Sequence, residues 1–205
     1  MIFDEATRRD LIQRVAQTII DNADQLTGLD QAIGDGDHGI NMRRGFEAVL
    51  SDIDVIAKKP LPQALKDVGM QLVMKVGGAS GPLYGTLIMA LGKNLSSDVP
   101  SLVEARQALA AAVDAVKARG KSEAGQKTML DVLGPLSEAL NSGQEDLPQS
   151  LRLVARESAD ATIPMQATKG RASFLGERSI GHMDPGACST TLIACTVCDL
   201  LEESL

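Results

Sequence analysis

The sequence predicts an all-α domain, and three observations predict it. Apolar residues recur at helical spacing along the whole chain: Leu11, Val15 and Ile19; Met42, Phe46, Val49 and Ile53; Leu65, Val68 and Leu72; Leu102, Leu109, Val113 and Val116. Alternation of polar and apolar residues is nowhere sustained, so no half-buried strand is expected. The breaks between periodic segments carry helix punctuation rather than hairpin turns.

Eight helices are expected, near 4–25, 39–57, 62–75, 81–96, 101–119, 128–142, 148–166 and 187–204. The first three carry the Leu11, Met42 and Leu65 stripes. The fourth opens on Gly81 and Pro82, where a proline suits a first helical turn. Ser101 and Glu104 stand at the spacing of a capping box, in which serine and glutamate satisfy reciprocal backbone donors, and Gly120 closes that fifth helix. The sixth runs from Thr128 towards Gly143. Pro135 and Pro164, inside the sixth and seventh spans, mark kinks or nearby helix ends. No internal repeat or low-complexity linker interrupts the chain, so residues 1–205 read as a single domain. The non-periodic segments 27–38, 76–80, 120–127 and 167–186 are rich in Gly, Asp, Ser and Arg. If the helices run up and down, function gathers at the loops of one end.

Composition narrows the function classes. The 205 residues are 44% apolar and carry 20 basic against 27 acidic side chains, a net charge of −7. A chain of this length builds a sufficient core without disulfides or a structural metal. Cys188, Cys195 and Cys198 are an odd set near one end, and MIFDEATRRD carries no signal-peptide pattern, so a cytoplasmic setting is expected. The longest apolar runs, such as Ala108 to Val113, fall far short of the roughly 20 residues that span a bilayer, so no membrane partner is expected. With no block of Lys and Arg, no Trp, and only Phe3, Phe46, Phe174 and Tyr84 as aromatics, nucleic acid is not expected either. A small anionic ligand needs metal ions or a local cluster of donors, because the overall field repels it.

The sharpest feature is LDQAIGDGDHG at 29–39, which packs Asp30, Asp35 and Asp37 into eight residues. Three carboxylates so close repel one another, and a hard divalent cation among their oxygens, Mg²⁺ above all, would relieve that. The same residues would also serve as caps in a solvated turn, with Asp37 or His38 starting the next helix. GDGDHG matches G-x-G-x-x-G, but it follows a helix rather than a strand, and its aspartates would repel a bare pyrophosphate. An EF-hand fails as well. Counted from Asp35 or from Asp30, the position of the bidentate Glu holds Phe46 or Asn41.

VGGASGP at 76–82 is a glycine-rich turn feeding a helix, whose free N–H groups and Ser80 hydroxyl suit an anion; the plain alternative is a tight turn with Ser80 as N-cap. A carboxylate loop and an anion-cradling loop together are the two halves of a metal–nucleotide site. The third cluster, TKGRASFLGERSIGHMDPGA at 168–187, concentrates Lys169, Arg171 and Arg178 in an otherwise acidic chain. Arg178 is the best candidate for stabilising phosphate charge, since a guanidinium forks across two oxygens. Asp184, Pro185 and Gly186 read as a turn that opens the last helix. His38 and His182 are too few for a zinc site. Cys195 and Cys198 match C-x-x-C but lie mid-helix among Leu192, Ile193 and Leu200, which reads as core packing.

GLDQAIGDGDHGINMRRGF at 28–46, VGGASGPLYGT at 76–86, ARGKSEAGQKTMLDV at 118–132 and the 168–187 segment together resemble the nucleotide-binding L subunits of bacterial dihydroxyacetone kinases. The likeness is greatest to the version driven by the phosphoenolpyruvate (PEP) phosphotransferase system, and it covers essentially the whole chain. It implies an eight-helix antiparallel barrel with a tightly held ADP or ATP and two Mg²⁺ ions at one rim. Asp30, Asp35 and Asp37 would be the metal ligands. Nucleotide contacts would fall on His38, Gly39, Ile40 and Asn41; on Gly78, Ala79 and Ser80; on Gly120 and Met129 around the adenine; and on Arg178, Asp184, Pro185 and Gly186. Arg178 and the three aspartates would be the catalytic set. The resemblance further implies two partners. A K subunit would hold dihydroxyacetone, and a phosphohistidine M subunit would rephosphorylate the bound ADP; a homodimer is left open. Three alternatives also remain at this point: an ATP-exchanging subunit for another triose or tetrose, a regulatory module that docks according to nucleotide state, and a helical carrier of an apolar ligand.

Overall fold

A computed structural model describes residues 2–143 and 146–203. Among them are ten α-helices and one 3₁₀ segment, with no strand. The helices are α1 (Glu5–Asp21), α2 (Ala23–Ile33), α3 (His38–Ser51), α4 (Ile53–Ile56), α5 (Leu61–Lys75), α6 (Ser80–Asn94), α7 (Leu102–Gly120), α8 (Leu130–Asn141), α9 (Leu147–Ala161) and α10 (Pro185–Glu202). The 3₁₀ segment spans Arg171–Ser179 between α9 and α10. The all-helical expectation holds.

Caps set several boundaries. Asp4 accepts the Thr7 N–H at 2.8 Å to start α1, and Asp146 accepts the Gln149 N–H at 3.2 Å ahead of Pro148 to start α9. Ser101 accepts from the Glu104 N–H at 3.1 Å, as the capping box requires. The reciprocal half is absent, because the Glu104 carboxylate instead accepts the Ser96 N–H. Gly120 stays helical, and Lys121 adopts the left-handed conformation, φ 49°, that ends α7. Gly143, at φ +71°, follows α8, which runs through Pro135 unbroken.

Four of the expected helices have different boundaries. The first expected helix breaks at Asn22 and resumes as α2, which continues to Ile33, so Asp30 stands on a helix rather than in a 27–38 loop. Ala23, Leu26, Asp30 and Ile33 form one buried face, and the stripe is hard to see because one of its members is charged. The second expected helix breaks at Asp52, leaving α4 as a single turn. The seventh ends at Ala161, short of Pro164, and the last begins at Pro185; residue 204, where it was expected to end, lies outside the described residues.

Packing follows a closed circuit. Helix α1 lies against α3, α3 against α5, α5 against α6, and so on through α7, α8, α9 and α10 back to α1. Helix α2 leans on α3 and on the 3₁₀ segment. The main core joins Leu26, Met42, Phe46, Leu72, Tyr84, Val113 and Leu130. A second one, of Val132, Leu136, Leu151, Ala155, Ala159, Ala187 and Cys198, joins α8, α9 and α10. Burial pushes the Cys198 thiol up to about 11 and raises that of Cys195, which fits packing rather than redox use. Where α3 begins, Gly39 lets it approach α2 closely. A methyl there would stand 1.9 Å from the Ala23 carbonyl oxygen. At the opposite end, buried Arg8 donates to the carbonyls of Ala57 and Phe3 and pairs with Asp98, fastening α1 to the 52–60 and 95–101 connections.

A candidate metal and anion cleft

The α2–α3 turn orients the three aspartates. Asp30, on the last turn of α2, reaches forward with Oδ2 and accepts the backbone N–H groups of Asp37 at 2.8 Å and His38 at 3.1 Å. It thereby satisfies donors that the start of α3 would otherwise leave open. Asp37 occupies the N-cap position of α3 yet makes no capping hydrogen bond. Capping is therefore done by the preceding helix, and the Asp37 carboxylate is left for something else. Gly34 is needed beside this arrangement, since a methyl there would fall 2.1 Å from Asp30 Oδ1. One oxygen from each of Asp30, Asp35 and Asp37 lies within 4.8 Å of the others. Three hard oxygen donors, one buried and two reachable from solvent, fit a divalent cation such as Mg²⁺.

The 76–79 turn faces them. Gly78, with φ +64°, allows the chain to enter α6, whose first N–H groups lack intrahelical partners and point along the positive end of the helix dipole. Ser80 is not the N-cap; that position is Ala79, without a side-chain bond. Instead Ser80 Oγ sits 2.9 Å from His38 Nδ1, while His38 Nε2 lies 2.9 Å from Ser189 Oγ. Ser189 in turn stands 2.6 Å from the hydroxyl of the buried Tyr84, which also approaches Thr190 and the Gly186 carbonyl. Burial pushes the His38 imidazole pKa down, against the pull of Asp30 and Asp37, so a neutral ring bridges α6 and α10.

The 121–129 and 162–184 connections close the cleft. Lys127, 1% exposed and with φ +61°, donates from Nζ to the carbonyls of Ser179 at 2.7 Å, Met165 at 2.9 Å and Ile163 at 3.4 Å. Burial lowers its pKa, opposed by Asp184. Asp184 caps α10 by accepting the Ala187 N–H at 2.7 Å, and its own N–H donates to Thr162 Oγ1 at 3.1 Å. Burial first, and then the charge of Asp131, push the Asp184 carboxyl up to about 7, while the Ala187 N–H and Lys127 pull the other way. A folded-state pKa raised from 3.8 means that the folded protein binds this proton more tightly than the unfolded chain. The stabilisation is complete below about pH 4 and disappears as pH rises through about 7. Asp184→Asn keeps the cap and removes the titration. Denaturant unfolding should therefore show it more stable than the parent at pH 8 by about 1–3 kcal/mol, allowing for the lost partner of Lys127. Equal destabilisation at pH 5 and pH 8 would refute this.

Together these elements enclose a cleft of about 170 Å³. The structure brings Asp30, Asp35, Asp37, His38, Gly78, Ala79, Ser80, Met129, Asp184, Pro185 and Gly186 into its lining. Four expected residues are not in the lining. Gly39 packs on α2, Ile40 is exposed, Asn41 is buried and accepts from Arg44, and a methyl at Gly120 would stand 3.3 Å from Leu83, which does line the cleft. Arg178 is exposed on the 3₁₀ segment and is not among the lining residues. Arg171 is, and its Nε lies 2.8 Å from Asp35 Oδ2. Tyr84 and Lys127 lie inside the 76–86 and 118–132 segments without being singled out there, and Ser189 lies outside every segment named. A lysine in a Gly-rich connection reads as surface until burial is known.

The DAK2 domain family model matches residues 32–199. The chain belongs to the DAK2-domain family. Among its relatives, this DAK2 chain is 48% identical over 174 residues to the "PEP-dependent dihydroxyacetone kinase, ADP-binding subunit DhaL" of Escherichia coli, covering 82% of this chain and 83% of that one. It is 45% identical to the "PEP-dependent dihydroxyacetone kinase 1, ADP-binding subunit DhaL" of Listeria innocua, covering 86% and 87%. The "D-erythrulose kinase" of Mycolicibacterium smegmatis is 35% identical, but the match spans 34% of that protein. In three dimensions the chain superposes on the dihydroxyacetone kinase of C. freundii with a TM-score of 0.75 at 23% identity, over 98% of this chain and 34% of that one. The same kinase in complex with AMP-PNP and Mg²⁺ superposes equally, at 24% identity. The DAK2 fold therefore corresponds to about a third of that kinase's length. No described helix is long and apolar enough to cross a membrane.

Proposed function

We propose that this chain is the ADP-binding subunit of a PEP-dependent dihydroxyacetone kinase, acting in the cytoplasm as a single L-type domain. The circuit of eight long helices supports the antiparallel barrel reading, with the cleft at one rim. The observation that carries the function is the Asp37 carboxylate, freed from capping by Asp30 and gathered with Asp35 opposite a glycine-rich helix start. Such a layout serves a phosphate ester together with metal ions.

Two Mg²⁺ ions held by Asp30, Asp35 and Asp37 would supply charge neutralisation for the phosphates. The protein's own groups do the rest. The N–H groups of the α6 start and the Ser80 hydroxyl take phosphate oxygens, Met129 and Gly120 flank the base, and Asp184 to Gly186 border the sugar. Arg178, exposed on the 3₁₀ segment and outside the lining, would have to turn inward to touch the nucleotide. Phosphoryl transfer through a loose transition state needs positioning and electrostatic stabilisation more than a protein base or nucleophile. The nucleotide would act as a tightly held cofactor, recharged by a phosphohistidine M subunit and discharged onto dihydroxyacetone on a K subunit. The relatives named as PEP-dependent subunits match along most of their length, which favours this over the ATP-exchanging reading suggested by the erythrulose kinase likeness.

The test is the nucleotide content of freshly purified protein, read at 260 nm and by mass after denaturation, with and without prior EDTA. Stoichiometric ADP that EDTA strips away is expected. Protein that emerges empty and binds ATP weakly would favour the exchanging subunit, and no metal-dependent nucleotide binding would refute the aspartate assignment.

A further inference from the structure

We propose that Tyr84 and Ser189 are positioning residues for phosphate binding: through His38 they hold the Ser80 hydroxyl so that its hydrogen points at the bound anion. This rests on the nucleotide reading above, in which Ser80 serves a phosphate oxygen. Four side chains form one line from the core to the cleft. Tyr84 Oη is 2.6 Å from Ser189 Oγ, His38 Nε2 lies 2.9 Å from that same oxygen, and His38 Nδ1 lies 2.9 Å from Ser80 Oγ. Tyr84 is 1% exposed and Ser189 0%, so water offers neither of them a substitute partner. The line opens at Ser80, which lines the cleft at the start of α6.

Donor and acceptor capacity fixes the direction of that line. A hydroxyl has one hydrogen to give, and a neutral imidazole carries a hydrogen on one nitrogen and a lone pair on the other. With the Ser80 hydrogen spent on a phosphate, Ser80 cannot also donate to Nδ1. Nδ1 must then carry the ring hydrogen and donate to Ser80 Oγ. Nε2 is left with a buried lone pair, and its hydrogen-bond partner is Ser189, which therefore donates to it. The Pro185 carbonyl, 2.9 Å from Ser189 Oγ, does not depend on that hydrogen, because in the first turn of α10 it takes the N–H four residues on. Tyr84 completes the line by donating to Ser189 at 2.6 Å in preference to the Gly186 carbonyl at 3.0 Å. Each bond in such a chain polarises the next, and every hydrogen in it points towards the anion. Thr190 Oγ1, 2.9 Å from Tyr84 Oη, stands beside the line rather than on it.

Hydroxyls that merely tie α3, α6 and α10 together are satisfied by either tautomer of His38, so the tautomer decides. Long-range proton–nitrogen NMR reads it on the full chain in the presence of ADP and Mg²⁺. The chain has two histidines, and His182→Gln, at an exposed position, assigns the signal of the other. The loaded parent should show His38 in its Nδ1–H form. Ser189→Ala removes the donor to Nε2; it should lose that preference and bind ADP with Mg²⁺ about tenfold more weakly, by calorimetry. Tyr84→Phe should weaken ADP about threefold, since it removes only the last bond of the chain. Thr190→Val, just as buried but off the line, should cost stability while keeping the tautomer and the affinity of the parent. A loaded parent that holds His38 as Nε2–H, or with both nitrogens protonated, overturns the proposal whether or not any variant folds. Equal losses of ADP affinity in all three variants overturn it too, because the hydroxyls would then act through packing. In either case a parent that binds ADP with Mg²⁺ leaves the nucleotide reading standing; a parent that binds none overturns both.

Discussion

Asp37→Asn is expected to lower phosphoryl transfer about a hundredfold to a thousandfold and to remove metal-dependent nucleotide binding, with the fold intact. Because the Asp37 side chain makes no capping bond, its amide replacement breaks no structural contact. Asp30 already accepts the N–H groups that the start of α3 presents. What the substitution removes is one formal charge from a set of three whose oxygens converge within 4.8 Å. An asparagine oxygen is a poorer ligand for a hard dication, and the cluster loses one of its three negative charges. Asp30→Asn should behave differently, because that carboxylate caps α3 as well as belonging to the proposed metal set. Its loss of activity should come with about 1–2 kcal/mol of lost stability, as for other capping changes. Melting curves beside a transfer assay with the partner subunits separate the two effects. Transfer within threefold of the parent in Asp37→Asn would rule out the aspartate cluster as the metal site.

How much of this was legible beforehand depended on the kind of signal. Helices with an uninterrupted apolar stripe, such as α5 and α7, were found nearly to the residue, because period 3.6 survives in sequence wherever every inward position is apolar. Helix α2 was truncated because its inward face includes Asp30, and a buried carboxylate looks like a loop residue until its partners are known. The capping box at Ser101 was half right, since a side chain that can reach two N–H groups chooses by geometry that spacing does not encode. At the site, Asp30, Asp35 and Asp37 were visible because local repulsion demands an explanation. The sequence reading favours Arg178 over Arg171, yet both lie in one aperiodic loop, and it is Arg171 that the fold turns into the cleft. His38 was expected near the nucleotide. Its link through Ser189 to Tyr84 joins positions 38, 84 and 189, a long-range relation that no local pattern announces.

Lys127 belongs to the same class of long-range feature, and its replacement carries the other large expected effect. Lys127→Met should destabilise the protein by about 3–5 kcal/mol, because three carbonyl oxygens lose a charged donor in a buried place. Methionine fills similar volume, so packing alone does not account for such a loss. The carbonyls belong to Ile163, Met165 and Ser179, which bracket the connection that carries Lys169 and Arg171. Few other bonds fasten that connection. Ala167 donates to Ser179 Oγ at 2.9 Å, Gly181 to the Ile163 carbonyl at 2.8 Å, and Thr168 to the Gln126 carbonyl at 3.4 Å. The left-handed backbone at Lys127 costs about 1–2 kcal/mol, which the three carbonyl contacts of its ammonium offset. Without the ammonium, hydrogen exchange should accelerate across residues 162–184 more than in α5 or α6, and nucleotide affinity should fall although Lys127 bonds backbone carbonyls. Added Mg²⁺ and ADP should recover part of the melting temperature, since a ligand bound across the cleft restores by mass action some of what the lysine supplied. Unchanged exchange in that segment, with stability within 1 kcal/mol of the parent, would show that the lysine anchors nothing.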